Sequence, residues 1–103
     1  MPVATAREFK TAALDLLHRL AGLVRLRVPE IGEAAAVEFA GVVWALVAGA
    51  WPMANPAPSV ATVLLEPELA ALAVDFEPAM TRVLTLLLTG MALQSEHPAV
   101  TQR

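Results

Sequence analysis

The pattern of hydrophobic and polar positions along the chain predicts helices and no strand. In the first quarter, apolar residues recur at steps of three and four with charged residues between them, which is the period of an amphipathic helix. Its apolar positions are Phe9, Ala13, Leu16, Leu20, Leu23 and Val24. We expect this helix to begin at Thr5, because Thr5 and Glu8 fit a capping box. We expect it to end near Arg27 or Val28, because Pro29 pushes the residue before it out of the helical region.

A second helix pattern is apolar on almost every side. It opens at Gly32 and Glu33 and enters a run from Phe39 to Leu65 that contains no charged residue. We expect the helix to reach about Trp51 or a little beyond, since Pro52 kinks or ends it. A helix that is apolar on every side must be covered by a core, a partner subunit or lipid.

This second helix carries two ridges of different size. Its small ridge consists of Gly41, Ala45, Ala48 and Gly49, and its large ridge consists of Val37, Ala40, Trp44, Val47 and Trp51. Small residues let another helix approach closely, so the two ridges predict two different neighbours.

Two further helices are predicted in the second half of the chain. A short helix should cover Val60 to Leu65 with Ser59 as its N-cap, and a turn follows in which Pro67 occupies a plausible first helical position. A long last helix should follow Asp75 as its cap. Its apolar stripe consists of Met80, Val83, Leu84, Leu87 and Met91, widened by Leu86 and Leu88. We expect residues 1–94 to form one domain and residues 95–103 to form a polar, fraying tail.

Composition indicates a partner and excludes several classes of site. Of the 103 residues, 57% are hydrophobic and 17% are charged, against roughly 45 to 50% and about 25% in an ordinary soluble domain. The excess apolar surface favours association. The chain has no cysteine, so a disulfide framework and a thiolate zinc site are both excluded. The first ten residues do not resemble a signal peptide, and we expect a cytoplasmic protein.

The net charge of −3 is unevenly distributed. Five basic residues against two acidic ones precede Pro29, and the remainder of the chain is acidic. The basic side chains are spread around one helix, with no aromatic or glycine-rich platform between them, so the pattern is typical of a solvated helix face rather than a nucleic-acid surface.

No catalytic, metal or cofactor chemistry is predicted. His18 and His97 have no carboxylate or second imidazole at ligand spacing. Glu66 and Glu68, on either side of Pro67, are more typical of helix-start carboxylates than of an acid and base pair. We therefore expect neither a metal site nor a cofactor, and no enzyme activity.

A membrane-spanning segment is the remaining alternative for the apolar run. The unbroken helical part, from Phe39 to Trp51, is shorter than the roughly 20 residues that a bilayer requires. No lysine or arginine flanks the run to set a topology. We expect no membrane insertion.

Several short segments resemble the C-terminal regulatory domain of TetR-family (tetracycline-repressor family) transcriptional regulators. The resemblance runs from about Thr5 to Met91. It rests on Glu8-Phe9-Lys10, on Val43-Trp44-Ala45-Leu46 followed by Gly49 to Pro56, on Pro67 to Leu72, and on Asp75-Phe76-Glu77-Pro78.

The resemblance implies an all-α bundle of about four helices that dimerises through a four-helix bundle. In that family an N-terminal helix-turn-helix module binds DNA, and the C-terminal domain binds a small effector. The DNA-reading module is missing from this sequence, so the resemblance implies DNA binding only through such a module. It also implies that the second and last helices form the homodimer interface. The small ridge would then meet the partner, and the large ridge with Trp44 and Trp51 would face the first helix and the subunit core.

These arguments give two sets of candidate site residues. The predicted dimer interface consists of Gly41, Ala45, Ala48, Gly49, Val83, Leu84 and Leu87. The candidate pocket for a small apolar effector consists of Phe39, Trp44, Met53 and Met80. The predicted function is the effector-binding and dimerisation portion of a TetR-like regulator, a repressor. The alternatives are a small self-associating helical scaffold or adaptor, and a membrane-associated peptide.

Overall fold

The protein is helical throughout the residues that the structure, a computed structural model, describes, which are residues 1–96. Helix α1 spans Val3–Arg27, α2 spans Glu33–Ala54 and α3 spans Pro58–Val63. A 3₁₀ helix follows at Pro67–Leu72, and α4 spans Phe76–Glu96. Residues 1–96 contain no strand, so the predicted all-α class is confirmed. Because α4 continues through Glu96, the helix extends past the predicted domain end at residue 94, and the rest of the predicted tail, with His97, lies outside the described residues.

The helix starts differ from the predicted caps at two places. Helix α1 has Pro2 as its N-cap and no side-chain cap, so the predicted capping box of Thr5 and Glu8 is wrong. Helix α3 begins at Pro58, so Ser59 lies inside the helix and does not cap it. Proline suits these positions because its φ is already helical and the first helical residue needs no N–H partner.

Helix α2 passes through Pro52 and ends two residues later at Ala54. The backbone N–H and the Nδ2 amide of Asn55 both donate to the carbonyl oxygen of Trp51, each at 3.0 Å. The Asn55 side chain thus adds a second bond at the helix end, where carbonyls lack helical partners. The complete helix has 22 residues, so the sequence argument that it is too short to span a bilayer is wrong.

The chain divides into two compact units, each built from parts of several helices. The first unit contains residues 1–42 and the part of the chain from Leu87 onward, and the second unit contains residues 43–86. Both α2 and α4 contribute one end to each unit.

A small core lies in the first unit. Ile31, in the connection between α1 and α2, is 1% exposed, and it packs with the buried residues Ala21, Ala36 and Ala40. Partly buried apolar residues from α1, from the connection that follows it, and from α2 and α4 surround this cluster: Leu17, Leu20, Val24, Val28, Ala35, Val37, Leu88 and Met91. Alanines at the centre leave room for the helices to approach, so one isoleucine fills the space between them.

Candidate functional site

The second unit has an apolar surface in place of a core, and α2 forms its most prominent part. No residue between 43 and 86 is buried. On α2, the side chains of Trp44 and Trp51 are 44% and 55% exposed, Val47 is 39% exposed, and Ala48 is also exposed. These four residues have the spacing i, i+3, i+4 and i+7, which places them on one side of the helix. We call them the tryptophan face.

The small ridge lies beside the tryptophan face and is also uncovered. Ala45 and Gly49 are exposed, as is Ala48, which belongs to both surfaces. A Cβ added at Gly49 would have no side chain or distant backbone within 4 Å, and the same is true at Gly41, which is half-buried in the first unit. Within residues 1–96, no part of the chain therefore packs closely on this ridge at either glycine.

The predicted inward position of the two tryptophans is wrong. Both side chains are about half exposed. A large apolar side chain is expected to be buried, but α2 is apolar over its whole circumference here. Its half-buried side is formed by the other residues Val43, Leu46 and Ala50. The parts of the two ridges that lie in the second unit form one exposed, charge-free arc: Trp44, Ala45, Val47, Ala48, Gly49 and Trp51.

Trp51 is exposed and yet held in a defined position. Its ring meets the ring of Phe76 edge to face, with centroids 5.0 Å apart and planes at 86°. This is the preferred geometry of an aromatic pair. The two hydrogen bonds from Asn55 to the Trp51 carbonyl fix the backbone of the same residue.

Helix α4 presents a second exposed apolar strip within the same unit. Val83 is 40% exposed and Leu86 is 59% exposed. The predicted interface residues Leu84 and Leu87 are half-buried within the chain, so they offer less surface than Val83. Leu86, counted among the residues predicted to widen the apolar stripe of this helix, was not included in the predicted interface. Leu86 lies three residues after Val83, so the two side chains share one side of α4. This spacing is the signal that identifies Leu86 as part of the exposed strip.

The candidate effector residues do not line a described cavity. Phe39 is buried in the first unit, while Trp44 and Met53 are exposed and Met80 is half-buried in the second unit. An open groove of about 530 Å³ runs along α4, lined by Glu77, Pro78, Thr81, Arg82, Thr85 and Leu86. A groove of about 540 Å³ runs along α1, lined by Ala4, Arg7, Glu8, Thr11, Ala12 and Asp15. Neither groove contains any of the four candidates.

The charged residues of the second unit are mainly acidic, and the described residues hold no cluster suited to a metal ion. The second unit carries four acidic residues, Glu66, Glu68, Asp75 and Glu77, against the single base Arg82. Within residues 1–96, no group of three histidine, aspartate or glutamate residues could hold a metal ion. His18 is exposed on α1.

By length and composition, α2 could cross a membrane, and it is the one such helix among the described residues. A single helix of this kind is weak evidence for a span, because the core helix of a soluble protein has the same length and composition. Glu33 and Glu38 also lie within it, and carboxylates are costly inside a bilayer.

Comparison with known proteins places these features in a family. A family model described as tetracyclin repressor-like, C-terminal domain, matches residues 1–95. No DNA-binding domain family matches the chain. Neither a curated protein nor a solved structure matches it significantly.

Proposed function

Since the chain belongs to the tetracyclin repressor-like C-terminal domain family, we propose that it is the regulatory and dimerisation portion of a transcriptional repressor whose DNA is read by a separate helix-turn-helix module. The family's C-terminal domains are regulatory and not catalytic. We place the protein in the cytoplasm, where such regulators act.

One observation carries the dimerisation proposal: the exposed arc of α2 in the second unit contains no charge and has no cover. Trp44, Val47 and Trp51 are each at least 39% exposed there. Contiguous apolar surface of this kind marks an interaction site. Two copies related by a two-fold axis would each cover the other's arc, with α2 and α4 of both chains forming a four-helix bundle.

The proposed interface retains the small ridge of Gly41, Ala45, Ala48 and Gly49 and the exposed Val83. Leu86 joins it, because it is more exposed than Leu84 or Leu87. The tryptophan face lies directly beside the small ridge on α2, so a partner that covers one must approach the other.

The regulatory part of the proposal is a small apolar effector, for which Phe39, Trp44, Met53 and Met80 remain the candidate contacts. Methionine is flexible and suits an adaptable apolar site. An effector that binds one arrangement of the dimer better than another would shift the dimer toward that arrangement, and so alter the spacing of attached DNA-binding modules. Calorimetric titration with indole as the probe tests this role, since Met80→Ala should weaken the binding.

The decisive experiment for self-association is the solution mass of the purified chain at micromolar concentration. Size-exclusion chromatography with light scattering, without detergent, should give twice the mass of one chain. A monomer would overturn the proposed dimerisation. A chain that stays in solution only with detergent would overturn it in favour of membrane association.

A further inference from the structure

We propose that Trp51, held in place by Phe76, is the aromatic anchor that a second copy of this chain buries on association. The inference rests on the proposed self-association and assigns its main contact to one residue pair. The tryptophans are the largest side chains on the uncovered arc. Trp51 is the more exposed of the two, and an aromatic contact to it is present within the chain.

The contact with Phe76 restricts the Trp51 side chain before any partner binds, so Trp51 is preorganised for binding. An exposed side chain loses rotamer freedom when a partner covers it, and this loss opposes binding. The edge-to-face contact at 5.0 Å already restricts the Trp51 ring, and the Asn55 bonds restrict its backbone. More than half of the Trp51 side chain nevertheless remains open to a partner. Rigid aromatic side chains with an open surface are the commonest hot spots of protein interfaces.

The size of the tryptophan face fits the centre of a dimer interface. With roughly 150 to 250 Å² per aromatic side chain, the exposed fractions of Trp44 and Trp51 amount to the order of 200 Å² in each copy. A standard interface takes about 800 Å² from each partner. The two tryptophans would thus supply about a quarter of that area, and the neighbouring small ridge and Val83 would extend it.

The lack of charge on the arc is compatible with a second copy as its occupant, and the acidic character of the second unit disfavours an anionic lipid surface. The arc itself is uncharged, so two copies can meet without burying an unpaired charge. The second unit has four acidic residues and only one basic residue. An anionic membrane attracts basic segments, and an acidic unit is repelled by it.

The test compares Trp51→Ala with Phe9→Ala, measured by sedimentation equilibrium over a range of protein concentrations. Phe9 is a matched control because it is an aromatic residue on α1 with 61% of its side chain exposed. We expect Trp51→Ala to raise the dimer dissociation constant at least about 30-fold and Phe9→Ala to leave it unchanged. Circular dichroism should show that both variants keep their helices.

The role of Phe76 is tested by a double-mutant cycle. Phe76→Leu should weaken the dimer several-fold in the wild-type chain and have no further effect in Trp51→Ala, because its contribution acts through the tryptophan ring. Equal effects in both backgrounds would show that Phe76 does not act by holding Trp51.

Fluorescence reports burial of Trp51 directly. In Trp44→Phe, Trp51 is the only tryptophan, and its emission should move to shorter wavelength as the chain associates. If the wild type is dimeric but neither Trp51→Ala nor the emission responds, the anchor is elsewhere and the proposed function stands. If the wild type is monomeric at all concentrations, the proposed self-association fails and this inference fails with it. A shift caused by neutral lipid vesicles, without self-association, would overturn the choice of a second copy.

Discussion

The two units of this chain use the same kinds of residue in opposite ways. In the first unit, alanines at positions 21, 36 and 40 are buried around Ile31, and three helices meet at that point. In the second unit, alanines at positions 45 and 48 are exposed, and no residue from 43 to 86 is buried. Small residues allow another helix to approach closely in both units. Only in the first unit are the alanines covered by neighbouring helices.

The difference in burial between the two units is also seen along α2 itself. Ala36, Phe39 and Ala40 near the start of α2 are buried, while Trp44, Val47 and Trp51 further along it are exposed. Hydrophobicity does not decline along the helix, so the change in burial comes from what surrounds it. The second half of α2 has the composition of a core and the exposure of a surface, which is the combination expected of a helix that a partner covers.

The largest effect should follow from Ile31→Ala in the first unit. Removing buried methyl and methylene groups leaves a cavity, and such substitutions cost roughly 2–5 kcal/mol. Ile31 is 1% exposed and supports the cluster from a connection between helices. Urea unfolding should show the loss in free energy, whereas the control Leu65→Ala, at a position 83% exposed, should change it little. Similar losses in the two variants would refute the contrast between the units.

A charge on the small ridge should separate the two copies without unfolding either. Ala45 is exposed, so Ala45→Glu costs the isolated chain little, but in the dimer it buries an unpaired charge. We expect the dissociation constant to rise at least about 100-fold, which corresponds to about 2.8 kcal/mol at 1.4 kcal/mol per tenfold change. Light scattering at micromolar concentration should then give the mass of one chain.

Ala34→Glu is the matched control for this substitution. Ala34 is exposed in the first turn of the same helix, where a negative charge is favourable. This variant should remain dimeric. If Ala45→Glu also remains dimeric, the small ridge is not the contact surface.

Truncation of Leu86 should have a moderate effect on association. Its side chain is 59% exposed in the chain, so Leu86→Ala should leave the unfolding of the monomer nearly unchanged. In a dimer that covers α4, the loss of buried apolar surface should weaken association about tenfold, or about 1.4 kcal/mol. Leu72→Ala in the 3₁₀ helix, at a position 60% exposed, is the control that should have no effect in sedimentation equilibrium. Equal weakening by both would indicate a nonspecific loss of apolar surface.

Periodicity in the sequence predicted the helices well but not all of their starts. The end of α1, predicted from Pro29 to lie near Arg27 or Val28, is confirmed, since the helix ends at Arg27. The predicted caps Thr5 and Ser59 failed because each lies just after a proline that starts the helix earlier, Pro2 for α1 and Pro58 for α3. At α3 the fixed φ of Pro58 suits the first helical position, whereas Pro2 has extended backbone and lies just before the first residue of α1.

The burial of the two tryptophans could not be predicted from the sequence. Periodicity identifies a buried side when the other side is polar, and the second half of α2 has no polar side. The size of Trp44 and Trp51 suggested a core position, but the half-buried side is made by Val43, Leu46 and Ala50. Which side of α2 is half-buried depends on where α4 and the 3₁₀ helix lie. The sequence of α2 alone does not contain that information.

The smallest expected effect comes from glycine-to-alanine substitutions. They test whether a partner helix approaches α2 closely or whether the glycine there is simply exposed. Gly22 and Gly49 both lie inside helices and have open space where a Cβ would stand. Replacing either with alanine should stabilise the isolated chain by about 0.5–1 kcal/mol, because glycine is costly in a helix interior. Urea unfolding in the monomeric Ala45→Glu background measures this effect.

In the dimer, the two glycine substitutions should diverge. Gly22→Ala should leave the dissociation constant unchanged, whereas Gly49→Ala should raise it several-fold, because its methyl group stands where a partner helix approaches the small ridge. Sedimentation equilibrium on both single variants measures the difference. If Gly49→Ala dimerises as tightly as the wild type, the partner does not approach α2 closely at this ridge, and the contact must centre on the tryptophan face alone.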